Sequence, residues 1–457
     1  MSDGRRSGER FIIIGGVAAG MSAASKARRL RPDAEIVVFQ DEEHVSYSAC
    51  GLPYFISDRI AAASDLIAYD AAFFRRERNI DVRLRHRVTA IDAAVKCIRV
   101  VDLESGTSTV EPYDRLMIAT GAAPVIPPLP GVDLRGVGPV RSLADGMRIK
   151  QLLAAGGICR AVIAGGGHIG LEMAEALRER NLQVLLVEKL PRLMANMDEE
   201  FSRLIEQHLT GHGVEVNTGT GVQELLGSDS VTAVRLESGD VVDAELVLLA
   251  VGVKPNSRLA AAAGIRLGAT GAIAVNDRME TDIPDIYAGG DCAEAFHLVL
   301  QAPAYIPLGT TANKQGKVAG TNLAGGDASF PGIVGSSVFK CFDLEVARTG
   351  LTTREAELAG FDPVTAVIRQ GSKAQYYPGA KPIIVKVVAD RSSGRLLGAQ
   401  MAGEQGVAKR IDTFATALTA GMTARQAADL DLAYAPPFSP VRDPVLIAAE
   451  QLDKQLS

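Results

Sequence analysis

The chain has 457 residues, 47% of them hydrophobic and 22% charged, with a formal net charge of −6 and a pI of about 5.7. That length asks for two or three domains, and that composition for packed globular cores. The acidic balance predicts no nucleic-acid partner, and no apolar run reaches membrane-spanning length.

The polar Met1–Arg10 segment has no signal-peptide core. Five cysteines (Cys50, Cys97, Cys159, Cys292, Cys341) are scattered without a C-x-x-C pair, and the six histidines form no zinc-type grouping with them. The expectation is no disulfide framework, no metal, and a reducing, cytoplasmic compartment.

In chain order, Phe11–Ile14 reads as a buried strand, Gly15-Gly16-Val17-Ala18-Ala19-Gly20 as a turn, the alanine-rich stretch to Leu30 as a helix, and Ile36–Phe39 as a second strand. This unit sets a pyrophosphate on a helix N-terminus. Val17 stands where the middle motif glycine is expected. Gln40, followed by Asp41, replaces the ribose-binding acid and predicts a weaker hydrogen bond to a ribose hydroxyl.

Ser46-Tyr47-Ser48-Ala49-Cys50-Gly51-Leu52-Pro53-Tyr54 follows. It places a cysteine on a loop ahead of a helix containing Pro53, where the positive end of a helix dipole favours thiolate. Taken alone, Cys50 reads first as a small buried cysteine filling a turn. Leu116–Gly121 is a strand ending in a tight turn at Thr120-Gly121. Ile286–Asp291 is another, whose Asp291 suits a flavin ribityl hydroxyl. A helix from Gly309, with Thr311 and Ala312 in its first turn, presents amides to a flavin ring.

The second unit is more complete. Strand Arg160–Ala164 leads into Gly165-Gly166-Gly167-His168-Ile169-Gly170, helix Leu171–Arg180, strand Val184–Val187 and Glu188. The acid lies roughly 20 residues on, as a ribose-binding acid should. Glu188 suits the free 2′-hydroxyl of NADH and opposes the 2′-phosphate of NADPH, an exclusion softened by Lys189 and Arg192. Leu248–Asn256, with Gly252, returns the chain to the first domain.

The fold class is therefore α/β, with two Rossmann-like domains and a C-terminal α+β domain. Residues 1–140 and 252–328 would bind FAD, residues 141–251 NAD(P)H, and residues 329–457 a second copy. Strands are expected at 336–342, 364–369, 383–388 and 397–401, and helices at 352–359, 409–420 and 423–430. Tyr376, Tyr377 and Tyr434 lie there, and no histidine lies beyond His297.

These motifs, with Glu172 and the stretches 406–412 and 432–437, resemble the flavin and pyridine-nucleotide disulfide oxidoreductases over nearly the whole chain. Within them the chain is similar to the single-cysteine branch of coenzyme A-disulfide reductases, persulfide or polysulfide reductases, and NADH oxidases and peroxidases. The resemblance implies that Cys50 faces one side of the flavin and nicotinamide the other. It implies a homodimer in which Tyr434 and one of Tyr376 and Tyr377 reach the partner's cysteine and stabilise a departing thiolate. It implies coenzyme A contacts at Lys26, Arg29, Ser46 and Tyr47, Ser46 also lying beside FAD.

Several positions depart from the branch. Ala49 replaces the common asparagine, Ala18 the histidine of oxidases and peroxidases, and His168 the tyrosine that covers the flavin. No cysteine stands at Phe55, and no fused rhodanese-type donor is expected. The leading expectation is reduction of a disulfide or sulfane sulfur (coenzyme A disulfide, coenzyme A persulfide or polysulfide) through Cys50. The alternatives are an oxidase or peroxidase using a Cys50 sulfenic acid, a flavin-direct reductase of quinones or metal ions, and a non-catalytic redox sensor.

Overall fold

Phe11, Ile12 and Ile13 are each 0% exposed, so both faces of the first strand are buried. A continuous apolar run of that kind belongs in a parallel sheet covered on both sides. A computed structural model describes residues 8–456, leaving most of the polar N-terminal segment outside the described residues. Its first sheet runs Ile286–Ala288, Arg115–Ile118, Arg10–Ile14, Glu35–Phe39, Asp81–Arg83, all parallel. Ile12 pairs with Val37 on one side and Leu116 on the other.

The second sheet repeats the plan, as Val214–Thr218, Gln183–Glu188, Arg160–Ala164, Leu246–Leu249, Val137–Pro139, again parallel. Its edge strand Val137–Pro139 lies before the boundary that the sequence places at 140. The antiparallel pair Ala122–Pro124 with Val253–Pro255 lies where the chain passes between the two sheets in each direction.

In each unit a helix follows the first strand at very close range. A Cβ on Gly20 would lie 1.8 Å from the Gly15 carbonyl oxygen, and one on Gly170 would lie 2.0 Å from that of Gly165. Gly15 (φ +102°) and Gly165 (φ +115°) make the turns. Only glycine fits these positions.

The C-terminal sheet is antiparallel and runs Ser337–Cys341, Leu344–Gly350, Leu396–Gly403, Pro382–Asp390, Pro363–Gly371. The strand Leu344–Gly350 is absent from the sequence expectation. Only Phe342 and Asp343 separate it from its neighbour, with Phe342 at φ 54°, so the hairpin carries no glycine signal. The helices Val407–Thr419 and Pro444–Leu456 bury Ile411, Phe414, Val445 and Leu452 in the same core as this sheet. No helix of the described residues is long and apolar enough to cross a membrane.

A buried polar cluster joins this sheet to the second unit. Asp198, 7% exposed, accepts from Thr353 Oγ1 at 2.7 Å and Gln400 Nε2 at 2.9 Å, and pairs with Lys386 Nζ at 2.7 Å. Burial pushes the Asp198 carboxyl up, but the bonds from Lys386, Thr353 and Gln400 outweigh it and hold its pKa below the ordinary value. Its contribution to stability is therefore present above the unfolded pKa of about 3.9 and is lost as pH falls through the folded value. Asp198→Ala leaves Lys386 with Glu200 alone. The expected cost is about 3 kcal/mol, read as a lower denaturant midpoint at pH 7 and a smaller deficit at pH 3.

Candidate active site

The Cys50 stretch is pinned on both sides. The Ser46 N–H donates to the Gly16 carbonyl at 2.8 Å, with Ser46 itself at φ 52°, so the loop is tied to the first glycine turn. Cys50 lies in the short 3-10 turn Ala49–Gly51, which runs straight into the helix Leu52–Ile56. Leu52, Phe55 and Ile56 are buried. Lys150 reaches the end of this helix, donating to the carbonyls of Phe55 at 3.0 Å and Ala61 at 2.9 Å. The pin leaves Cys50 exposed.

Tyr47 is 7% exposed and its hydroxyl donates to Glu42 Oε2 at 2.8 Å. In the single chain its ring is core and its polar tip is bonded internally.

The electrostatics also correct the sequence expectation. Solvent reaches Cys50, yet the surrounding protein pushes the thiol pKa up, and Glu172 and Asp291 push it further; Arg141 opposes them. Burial is the largest of these effects. Glu172, on the second glycine-turn helix, is itself raised to about 7 by burial and by Glu175. Asp291 is raised by burial and opposed by Arg141, whose Nη2 lies 3.5 Å from Asp291 Oδ2. Arg141 also donates to the Ala122 carbonyl at 3.2 Å. No motif surrounds Arg141, so nothing in the sequence singles it out. Glu172 sits one helical turn after His168, a spacing that is visible only once the helix is assumed.

The glycine turns provide two matching cradles. The helices Ala18–Leu30 and His168–Glu179 start without a side-chain cap and without an acidic residue in the first turn, as does Gly309–Leu323. Their first amides therefore lack acceptors within the helix. A Cβ on Gly167 or Gly309 would meet nothing within 4 Å, so the approach to these amides is open. Val17 is the N-cap of the first helix, in the place Gly167 holds in the second. Ala18 and Gly20 follow Val17 in the first helix, as His168, Ile169 and Gly170 follow Gly167 in the second. Such starts fit the pyrophosphate groups of two dinucleotides.

The two strand-end residues act alike. Gln40 Oε1 accepts from the Gly16 N–H at 2.7 Å, and Glu188 Oε2 accepts from the Gly166 N–H at 2.6 Å. Glu188 Oε1 also accepts from the Leu190 N–H at 2.8 Å. Gln40 thus braces the turn through the carbonyl end of its amide, and Asp41 pairs with Arg87 at 3.2 Å. Thr120 and Asn256 exchange two hydrogen bonds, Thr120 Oγ1 to the Asn256 carbonyl at 2.7 Å and Asn256 Nδ2 to the Thr120 carbonyl at 2.9 Å. Gly121 (φ +68°) and Gly252 (φ +111°) make the adjoining turns. Thr311 and Ala312 are buried in the first turn of their helix.

The remaining candidates lie nearer the surface. His168 is exposed but partly desolvated, which lowers its pKa. Lys26 is half-buried and Arg29 exposed on the first glycine-turn helix. Tyr376 and Tyr434 are exposed with their hydroxyls 3.4 Å apart, whereas Tyr377 lies under Lys373 Nζ at 5.7 Å from its ring centroid.

Removing one of the carboxylates that oppose the thiolate gives a direct check. Glu172→Gln lowers the Cys50 pKa, so the pH profile of iodoacetamide alkylation at Cys50 moves to lower pH. An unmoved profile sinks this account of the thiol.

Comparison with known proteins agrees with this geometry. The signature of the pyridine nucleotide-disulphide oxidoreductases matches residues 9–316, and that of their dimerisation domain matches residues 336–444. The chain is 38% identical to the NAD(P)H coenzyme A polysulfide/persulfide reductase of Pyrococcus horikoshii, over 97% of this chain and 98% of that protein. It is 38% identical to an NADH oxidase of Methanocaldococcus jannaschii, over 98% and 99%. Among solved structures, the NAD-dependent persulfide reductase from A. fulgidus superposes with a TM-score of 0.95 at 40% identity, over 98% of this chain and 83% of that one. The chain belongs to the pyridine nucleotide-disulphide oxidoreductase family.

Proposed function

We propose that this protein is an FAD-dependent NAD(P)H reductase of disulfide or sulfane sulfur, with coenzyme A disulfide, coenzyme A persulfide or polysulfide as its substrate class. The observation that carries the reading is the setting of Cys50. It is an exposed, unpaired thiol in the field of Glu172 from the second glycine-turn unit and of Asp291 from the end of the first sheet. Of the other cysteines, Cys292 and Cys341 are buried, and Cys97 and Cys159 lie on or beside strands away from this stretch.

Bound FAD supplies the two-electron relay between NAD(P)H and sulfur. The first unit, with its return segment, would hold it through Gly15, Val17, Ala18, Gly20, Gln40, Ser46, Thr120, Gly121, Asp291, Gly309, Thr311 and Ala312. The second unit would hold NAD(P)H through Gly165, Gly167, His168, Ile169, Gly170, Glu188 and Gly252. The second unit takes in the strand Val137–Pro139, which pairs with Leu246–Leu249 in its sheet.

The Cys50 thiolate attacks one sulfur of a disulfide, forming a mixed disulfide and releasing the other half as a thiolate. Two electrons then cleave the mixed disulfide, returning the Cys50 thiolate and freeing the second thiolate. In a homodimer, the paired hydroxyls of Tyr376 and Tyr434 reach the partner's site and donate to the departing thiolate. Lys26 and Arg29 attract the phosphates of a coenzyme A substrate. Free cysteines fit a cytoplasmic setting.

Cys50→Ser is expected to lose NADH-dependent reduction of coenzyme A disulfide and polysulfide about 100-fold or more, about 2.7 kcal/mol. Bleaching of the flavin by NADH is expected to survive. Retained disulfide and polysulfide turnover would falsify the thiol mechanism and leave a flavin-direct reductase. The kinship with an NADH oxidase makes oxygen the necessary control acceptor.

Glu188→Gln keeps an acceptor for the Gly166 N–H, the job Gln40 already performs in the first unit. It removes the charge that repels a 2′-phosphate. The kcat/KM ratio for NADPH over NADH is expected to rise about tenfold, about 1.4 kcal/mol.

A further inference from the structure

We propose that His208, His212 and Asp343 form a binding site for a divalent transition metal of the zinc class, which ties the second nucleotide unit to the C-terminal sheet. His208 lies on the helix Glu199–Gly211 and His212 caps its end, one turn on, so both rings share a face. Asp343 is the second residue of the two-residue turn between Ser337–Cys341 and Leu344–Gly350. One ligand atom from each residue lies within 4.8 Å of the others. Asp343 Oδ1 is 2.9 Å from His208 Nε2 and 3.7 Å from His212 Nε2. Zinc–ligand bonds of about 2.0–2.1 Å separate ligand atoms by roughly 2.9 Å in octahedral and roughly 3.4 Å in tetrahedral geometry, so the two spacings bracket a coordination sphere.

Two observations separate convergence on an ion from an ordinary histidine–aspartate bond. His208 Nε2 is buried without a hydrogen-bond partner, although Asp343 Oδ1 is so near. The contact is close but is not a well-directed N–H···O hydrogen bond. His212 Nδ1 lies 2.9 Å from the His208 carbonyl oxygen. A carbonyl only accepts, so Nδ1 carries the proton and Nε2 keeps its lone pair toward Asp343. Metal-binding histidines have that outer partner.

The ring of His212 is held in plane by stacking on Phe342, at 4.2 Å and 12°. Two imidazoles and a carboxylate suit zinc, cobalt or nickel better than calcium or magnesium. The Asp343 side chain is 59% exposed, which leaves an entry path and room for a water ligand. The sequence expectation of no metal rests on histidines sought beside cysteines, and the third ligand here comes from another domain. The same turn also contacts the second glycine-turn helix, where the Phe342 N–H donates to Glu175 Oε2 at 2.8 Å.

The test is calorimetric titration of zinc chloride into the holoenzyme carrying Cys50→Ser and Cys159→Ser, which removes the exposed thiols as rival ligands. Flavin absorbance confirms that each variant is folded. The expected result is one ion per chain at about micromolar dissociation constant or tighter, weakened about tenfold or more by His212→Ala and by Asp343→Ala. Zinc is also expected to raise the thermal midpoint of the parent and not of His212→Ala. Equal zinc affinity in the parent and His212→Ala, or no saturable binding in the parent, overturns the proposal.

Discussion

Two close approaches of helix to strand govern this molecule. Gly20 lies against the Gly15 carbonyl and Gly170 against that of Gly165, at distances that no side chain survives. The approach turns each helix start toward the end of its parallel sheet. It leaves the first amides uncapped, and no acidic residue in the first turn competes for them. Gln40 and Glu188 brace the turns from the neighbouring strand, each through one oxygen. A single mechanical motif, used twice, thus produces two anion-receptive cradles. The same constraint packs the helix Gly309–Leu323 on the first glycine-turn helix, where a Cβ on Gly316 would lie 2.3 Å from the Ala19 carbonyl oxygen.

Charge around Cys50 works against a resting thiolate. Burial, Glu172 and Asp291 all favour the neutral thiol, and Arg141 answers them only in part. A proton held on Glu172, whose pKa is raised to about 7, removes one of the charges that oppose the thiolate. The local chain keeps the sulfur in place, because Leu52, Phe55 and Ile56 are buried and Lys150 holds the carbonyls of Phe55 and Ala61.

The C-terminal sheet is attached to the second unit by chemistry of a different kind. Asp198, Lys386, Gln400 and Thr353 form a buried, mutually satisfied cluster. The turn at Phe342 and Asp343 docks on Glu175 and the His208–His212 face. The opposite burden falls on Tyr376, Tyr434 and Phe438, which remain exposed, as large hydrophobic residues awaiting a partner do.

Glycine spacing, apolar runs and strand-end residues are local properties, and they made the two Rossmann-like units and the C-terminal α+β region legible from the sequence alone. Steric exclusion at Gly20 and Gly170 acts within a few residues, so the chain carries its signature openly. Pairing partners are another matter. The edge strand Val137–Pro139, the strand Leu344–Gly350, the inward turn of Tyr47 and the reach of Arg141 to Asp291 depend on residues far apart in the chain. The thiol pKa of Cys50 and the meeting of two helical histidines with Asp343 depend on distances across sheets and domains. Electrostatic and coordination energies follow separation in space, and only the tertiary structure sets that separation.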